Sequence, residues 1–259
     1  MSEGERPIIL EVQDLVVRYG SQTAVDGLGF SIRRGEIFGL LGPNGAGKTT
    51  TLSVIEGLRK PSAGRVEVEG VETVRAPLAV KAKLGVQLQA SSFQSELTIV
   101  QIARLYAGLY GLDLQQRQLR DRLADVGLEQ ELAKPFKKLS GGQQQRFSLM
   151  VATIHDPPIL LLDEPTAGLD PQSRRQLWDR IERSRQRGGS ILLTTHSMEE
   201  AQSVCDRVAI IDHGRLQALG APRDLVAIHR DDPRVRAAAH GDVTLEDVFI
   251  GLTGSAIRD

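Results

Sequence analysis

The chain has 259 residues and a formal net charge of -1, with 41% hydrophobic and 25% charged residues. This length accommodates one large α/β domain, and the near-neutral balance argues against disorder and against a nucleic-acid partner held by bulk charge. The single cysteine, Cys205, cannot form an internal disulfide, so we interpret it as a structural thiol in a reducing compartment.

The first seven positions are polar where a signal peptide would need an apolar run. The apolar runs elsewhere are only a few residues long, whereas a membrane-spanning helix needs about 20. We therefore expect any membrane association to come through a partner.

Short apolar or alternating runs predict strands over residues 9–17, 36–41, 65–68, 84–88, 159–162, 191–194 and 208–211. Amphipathic patterns predict helices over residues 48–57, 98–111, 116–126, 142–155, 171–186 and 197–205. This alternation predicts an α/β fold with a mainly parallel sheet flanked by helices. The strands over 159–162 and 191–194 are apolar throughout, which is typical of central strands covered on both faces.

No convincing strand pattern occurs between about residues 90 and 157, so we expect a helical subdomain inserted there. The alternation of strand and helix patterns weakens after Pro222. We expect a main domain over residues 1–230 and a short helical tail over residues 231–259.

A glycine-rich loop joins the predicted strand at 36–41 to the predicted helix at 48–57. Glycines let consecutive backbone N–H groups turn towards a phosphate, and the helix start adds the positive end of its dipole. Lys48 supplies a cation, and the Thr49 hydroxyl can ligate Mg2+. We predict a site for a nucleoside triphosphate and Mg2+ formed by Gly42, Pro43, Asn44, Gly45, Ala46, Gly47, Lys48, Thr49 and Thr50.

Two adjacent carboxylates, Asp163 and Glu164, follow the predicted strand at 159–162. Adjacent residues on an extended chain point in opposite directions, so we expect Asp163 at the metal and Glu164 at the water that attacks the terminal phosphate. A strand that simply ends in polar residues is the alternative. Taken together with the phosphate loop, the acidic pair makes this alternative the lesser one.

The segment 139–146, Leu-Ser-Gly-Gly-Gln-Gln-Gln-Arg, resembles the signature motif of the ATP-binding cassette (ABC) family. It places a second anion-binding helix start in the chain, although one nucleotide does not need two. The resemblance implies that two cassettes, identical or different, pair head to tail around ATP. It also implies that Ser140, Gly141, Gly142 and Gln143 complete the partner's site.

Further positions resemble the family's motifs in order. Tyr19 resembles the aromatic residue that stacks on adenine, segment 167–170 resembles the loop between paired cassettes, and His196 resembles the switch histidine at the terminal phosphate. Gln89 is our choice for the glutamine that reaches Mg2+, with Gln87 as the open alternative. The resemblance implies an ATP-hydrolysing P-loop NTPase core with an N-terminal antiparallel β portion and an inserted helical subdomain. It also implies catalytic roles for Lys48, Gln89, Glu164 and His196.

Other nucleotide-binding classes fit less well. A GTPase would carry an Asn-Lys-x-Asp motif, which this chain lacks, and a kinase would not explain the second anion site. ABC cassettes that serve in DNA maintenance and translation generally contain long coiled-coil insertions or two cassettes in one chain. This sequence shows one cassette and no long heptad run, so a soluble ABC ATPase is the alternative function rather than the preferred one.

A lone cassette without membrane spans resembles the motor subunit that works with separate transmembrane permease subunits at the cytoplasmic face of the cell membrane. Segments 244–249 and 252–254 resemble the ending of drug, lipid and polysaccharide exporter cassettes, so we expect an exporter. We expect no nucleic-acid partner, and the sequence leaves the cargo open.

Overall fold

The computed structural model describes residues 6–87 and 93–254. Its strands are β1 (Ile8–Tyr19), β2 (Gln22–Arg33), β3 (Ile37–Leu41), β4 (Ala63–Val68), β5 (Val71–Glu72), β6 (Leu84–Gln87), β7 (Ile159–Asp163), β8 (Ser190–Thr195), β9 (Arg207–Asp212) and β10 (Arg215–Gly220). Its helices are α1 (Lys48–Ile55), α2 (Pro77–Lys81), α3 (Ile99–Leu109), α4 (Gln116–Asp125), α5 (Gly141–Ala152), α6 (Pro171–Gln186), α7 (Met198–Val204), α8 (Pro222–His229), α9 (Pro233–Ala238) and α10 (Leu245–Thr253), with a 3-10 helix at Phe136–Lys138.

The central sheet has six strands in the order β10-β9-β3-β8-β7-β6. All of its pairings are parallel except that of β9 with β10. Strands β3 and β8 are buried along their whole length, and β7 up to its last residue, because helices or the second sheet cover both faces. The predicted fold class is confirmed.

An antiparallel sheet, in the order β2-β1-β4-β5, packs on one face of the central sheet. Stacked rings of Phe30 and Phe38, with centroids 5.1 Å apart, join the two sheets. The sequence analysis missed β2, which contains Gly27 and Gly29. Glycine weakens a strand signal but suits bulges, and the pairing of β1 with β2 shifts register several times.

Helices α3, α4 and α5 lie between β6 and β7 and share a hydrophobic cluster of their own. The last helix, α10, buries Leu245, Val248 and Phe249 in the cluster on the other face of the central sheet. The helical end of the chain is therefore packed against the core, and the boundary at residue 230 stays a prediction. Cys205 belongs to the same cluster, and burial raises the pKa of its thiol.

Within the described residues, no helix combines the length and the apolar character needed to span a membrane.

The buried carboxyl group of Glu56, at the end of α1, makes stability depend on pH. Burial, and secondarily the charge of Asp163, raise its pKa from 4.5 to about 7, while Lys81 opposes the shift. The folded protein therefore binds this proton more tightly than the unfolded chain does. The associated stability is fully present below about pH 4.5 and is lost as the pH rises through about 7.

We expect Glu56→Gln to change the free energy of unfolding of the nucleotide-free protein more favourably at pH 8 than at pH 5, by up to about 3 kcal/mol. The reason is that an amide does not become a buried charge as the pH rises. Urea unfolding at the two pH values measures this. Asp113→Asn, at an exposed position, serves as the control. An equal effect of Glu56→Gln at both pH values would contradict the assignment.

Candidate functional site

Three central strands bring the predicted site residues to one edge of the sheet. Strand β8 lies between β3 and β7, with Leu41 opposite Thr195 and Asp163 opposite Thr194. The carboxyl ends of parallel strands meet at a single edge, where ligands of open α/β sheets bind. The glycine-rich loop, the acidic pair and His196 therefore converge although they are far apart in sequence.

A cleft of about 770 Å³ opens at this edge, a size within the usual range for ligand sites. Among the described residues, it is lined by Tyr19, Gln22, Ala24, Asn44, Gly45, Gly47, Lys48, Thr49, Thr50, Asp163, Glu164 and His196. Most of the predicted residues are thus brought together in one place.

The glycine-rich loop is shaped by close backbone contacts. A Cβ atom at Gly42 would lie 2.5 Å from the Ile211 carbonyl oxygen, and one at Gly47 would lie 2.6 Å from that of Ala24. Gly47 also has a φ of 105°, which side-chain-bearing residues rarely adopt. Any larger residue at these two positions would displace the loop.

Lys48 begins α1 and is almost fully buried. Its ammonium group donates hydrogen bonds to the carbonyl oxygens of Gly42 at 2.6 Å and Pro43 at 3.1 Å. Burial lowers the pKa of Lys48, and the carboxylates of Glu164 and Asp163 oppose that shift by favouring the charged form. The group is therefore a cation fixed by the loop itself, beside two anions.

Asp163 ends β7 and accepts a 2.5 Å hydrogen bond from the Thr194 hydroxyl. Thr49 is exposed and lines the same cleft. A carboxylate and a hydroxyl are hard oxygen donors of the kind that Mg2+ prefers, so the residues present fit this ion.

Glu164 is not on an extended chain, so our reason for separating the two carboxylates was wrong. Its φ is 46°, a left-handed conformation that costs energy for a residue with a side chain. The backbone N–H of Glu164 donates to the Thr194 hydroxyl at 3.0 Å, and one carboxylate oxygen lies 3.5 Å from His196 Nδ1. A turn directly after β7, rather than strand alternation, separates Glu164 from Asp163.

The signature segment lies elsewhere. Ser140 caps the start of α5 by accepting from the Gln143 N–H at 3.3 Å, and Gln143 reciprocates by accepting from the Ser140 N–H at 3.0 Å. Ser140 and Gly141 are exposed, and no residue from 140 to 143 is among the described residues that line the cleft. One chain therefore does not bring its signature segment to its own phosphate loop.

The structure describes one of the two candidate glutamines. Gln89 lies outside the described residues. Gln87 is buried opposite Leu162, and its side-chain amide finds no hydrogen-bond partner within the described part of the chain. It is not among the described residues of the cleft.

The sequence analysis missed two residues that hold the site in place. Thr194 contacts both Asp163 and Glu164, and its only sequence signal is a threonine at the end of a buried strand. Glu200, on α7, is buried and accepts from the Thr166 hydroxyl at 2.7 Å. Arg174 Nε on α6 lies 3.2 Å from the other Glu200 oxygen, as an ion pair without hydrogen-bond alignment.

The chain is similar to known proteins over most of its length. The family model described as ABC transporter matches residues 25–167. The chain is 41% identical to the Nod factor export ATP-binding protein I of Ralstonia nicotianae, over 99% of this chain and 97% of that protein. It is 37% identical to the probable multidrug ABC transporter ATP-binding protein YbhF of Escherichia coli, over 94% of this chain and 41% of that protein.

Among solved structures, an ATP-binding subunit of an ABC transporter is 30% identical and superposes with a TM-score of 0.83, over 94% of this chain and 99% of that one. An ATP-binding cassette in its ADP conformation is 22% identical, with a TM-score of 0.77 over 89% of this chain and 98% of that one, and supports the fold alone.

Tyr19 provides a test of the cleft. It ends β1 with 44% of its surface exposed, and the Arg59 guanidinium lies 3.6 Å from its ring centroid. We expect Tyr19→Leu to weaken ATP binding by about 5-fold to 150-fold, because base stacking on an aromatic ring contributes about 1–3 kcal/mol. Tyr19→Phe should keep nearly the parent affinity in calorimetric titration. Equal affinities of the parent and Tyr19→Leu would remove Tyr19 from the base site.

Proposed function

The chain belongs to the ABC transporter family, and from that premise we propose that it couples ATP hydrolysis to export through separate transmembrane subunits. Its catalytic class is ATP hydrolase. The observation that carries the proposal is the convergence of the phosphate loop, the acidic pair and His196 in one cleft, while the signature segment of the same chain faces elsewhere.

We propose that the triphosphate lies along the loop 42–50, with Lys48 and the backbone N–H groups at the α1 start binding its oxygens. Thr49 and Asp163 would hold Mg2+, with Gln89 as a further ligand by family resemblance. The ion would neutralise charge on the phosphates. Pro43 and Ala46 stabilise the conformation of the loop: Ala46 is buried, and its N–H donates to the Pro43 carbonyl oxygen at 3.1 Å.

Glu164 is the proposed general base for the attacking water, and His196 its neighbour at the terminal phosphate. The left-handed backbone conformation of Glu164 and the hydrogen bond from its N–H to Thr194 fix the position of its Cα atom. Little reorganisation is then needed to orient the carboxylate.

A second cassette completes the site in this proposal. Ser140, Gly141 and Gly142 form a helix start, exposed at its first two residues, that could bind an anion. None of the three is among the described residues that line the cleft of their own chain. Pairing with another cassette, a second copy or a different chain, would place this helix start against the partner's terminal phosphate. Closure on ATP and reopening after hydrolysis would then move the membrane subunits.

We expect Glu164→Gln to leave ATP binding intact and to lower turnover by about 100-fold or more, because the water loses its base. The variant should accumulate as an ATP-dependent dimer in size-exclusion chromatography. Glu199→Gln, at an exposed carboxylate three residues after His196 and outside the cleft, is the matched control and should hydrolyse ATP at the parent rate. Parent-like turnover of Glu164→Gln would refute the assignment.

The docking face for the membrane subunits is proposed to include Leu105 and Leu109 of α3. These residues are 44% and 72% exposed and, being four apart, lie on the same side of the helix. An apolar pair this exposed on the helical insert suits contact with a partner. The chain would then sit at the cytoplasmic face of the membrane.

We expect the double variant Leu105→Glu, Leu109→Glu to lose a multispanning partner when the tagged chain is purified from gently solubilised membranes. Ile228→Glu on α8, at a position 71% exposed, is the control and should keep the partner. The isolated chains should hydrolyse ATP alike. Recovery of the parent only in soluble fractions, with nucleic acid or ribosomes, would favour the soluble ATPase.

A further inference from the structure

A second cleft lies between α4 of the helical insert and α6 of the core. Its volume is about 160 Å³, and in the described part of the chain it shares no lining residue with the nucleotide cleft. We call it the arginine cleft, after Arg122, Arg180, Arg183 and Arg187, which line it.

The arginine cleft carries excess positive charge. Its four guanidinium groups face two carboxylates, Asp125 and Asp156. Only one ion pair forms among these lining residues, between Arg122 and Asp156 at 3.0 Å. Arg183 donates to the Asp179 carbonyl oxygen of its own helix, and Arg187 makes no ion pair with any described residue. Four positive and two negative side chains thus line the cleft.

Arg180 is a half-buried member of this group of arginines. One terminal nitrogen donates to the Asp125 carbonyl oxygen at 2.6 Å, but its buried Nε has no hydrogen-bond partner within the described residues. Burial, together with the charges of Arg146 and Arg183, lowers the pKa of Arg180. The Nε atom itself is closed off from the cleft, but an anion bound beside the other guanidinium groups would offset the repulsion between the arginines.

Part of the wall is apolar, although Thr153 and Ser184 also line the cleft. Val126, Leu149, Met150, Leu160 and Ile181 line the cleft beside the guanidinium groups. A fully hydrated inorganic anion would leave this surface unused, whereas an organic anion can cover it with its apolar part. The volume limits that part to about the size of one aromatic ring, since a cavity of about 150 Å³ accommodates benzene.

We propose that the arginine cleft binds a small organic anion, a phosphate monoester or carboxylate, whose charged group contacts the arginines and whose apolar body lies against Met150 and Leu160. Such a ligand contacts α4 and α6 together. It would thus restrain the helical insert relative to the core from a site separate from the nucleotide. The proposal does not depend on the transport assignment, because binding can be measured on the isolated chain.

The probe is phenyl phosphate, titrated calorimetrically into protein saturated with Mg2+ and ADP so that the nucleotide cleft is filled. We expect saturable binding with one site per chain. The double variant Arg183→Gln, Arg187→Gln should weaken it at least tenfold. Both side chains are exposed, so this change leaves the packing unaltered. The matched control is Arg117→Gln, Arg120→Gln, which removes the same charge from exposed positions of α4 outside the cleft and should change affinity less than twofold.

Further measurements separate the charged from the apolar contribution. Inorganic phosphate and phenol should each bind at least tenfold more weakly than phenyl phosphate. Hydrogen exchange should slow at the end of α4 and along residues 180–187 when phenyl phosphate is added. The proposal is overturned by unchanged affinity in the Arg183, Arg187 double variant, by equal losses in the control, by inorganic phosphate binding as tightly as phenyl phosphate, or by protection confined to other segments.

Discussion

A buried ammonium group, that of Lys48, is the charge on which the nucleotide cleft depends. Two backbone carbonyls of its own loop hold it, and the Asp163 and Glu164 carboxylates favour its charged form against the cost of burial. This balance requires β3 and β7 to end at the same height, with β8 between them. The parallel sheet is therefore the framework that keeps cation and carboxylates together.

The cleft is connected to the rest of the chain by polar contacts that begin just beyond Glu164. The Gln145 amide of α5 donates to the Pro165 carbonyl oxygen at 2.6 Å, which joins the signature helix to this loop. Glu200 accepts from Thr166 and lies beside Arg174, which joins the same loop to α7 and α6. These contacts form a continuous series from the loop after Glu164 to the surface proposed to face a second cassette.

The sequence revealed much of this because its signals were local. An all-apolar strand, a glycine-rich loop and a lysine at a helix start form one continuous segment, so the phosphate loop could be predicted with its neighbours. Strand β2 could not, because Asp26, Gly27 and Gly29 weaken the alternation and its place is fixed by pairing with β1. Nor could the packing of α10 be predicted, because this helix also contacts elements as far back in the chain as α7 and β9.

The sequence by itself predicted the fold class and most of the residues that line the main cleft, because each motif is a short continuous run, and the family followed from the resemblance of these motifs to known ones. The tertiary structure alone decided the turn that separates Glu164 from Asp163, the roles of Thr194 and Glu200, and the exclusion of the signature helix from its own cleft. It also assembled the arginine cleft from α4 and α6. These features arise from pairing and packing between segments far apart in the chain, and spacing along a sequence carries no measure of such distances.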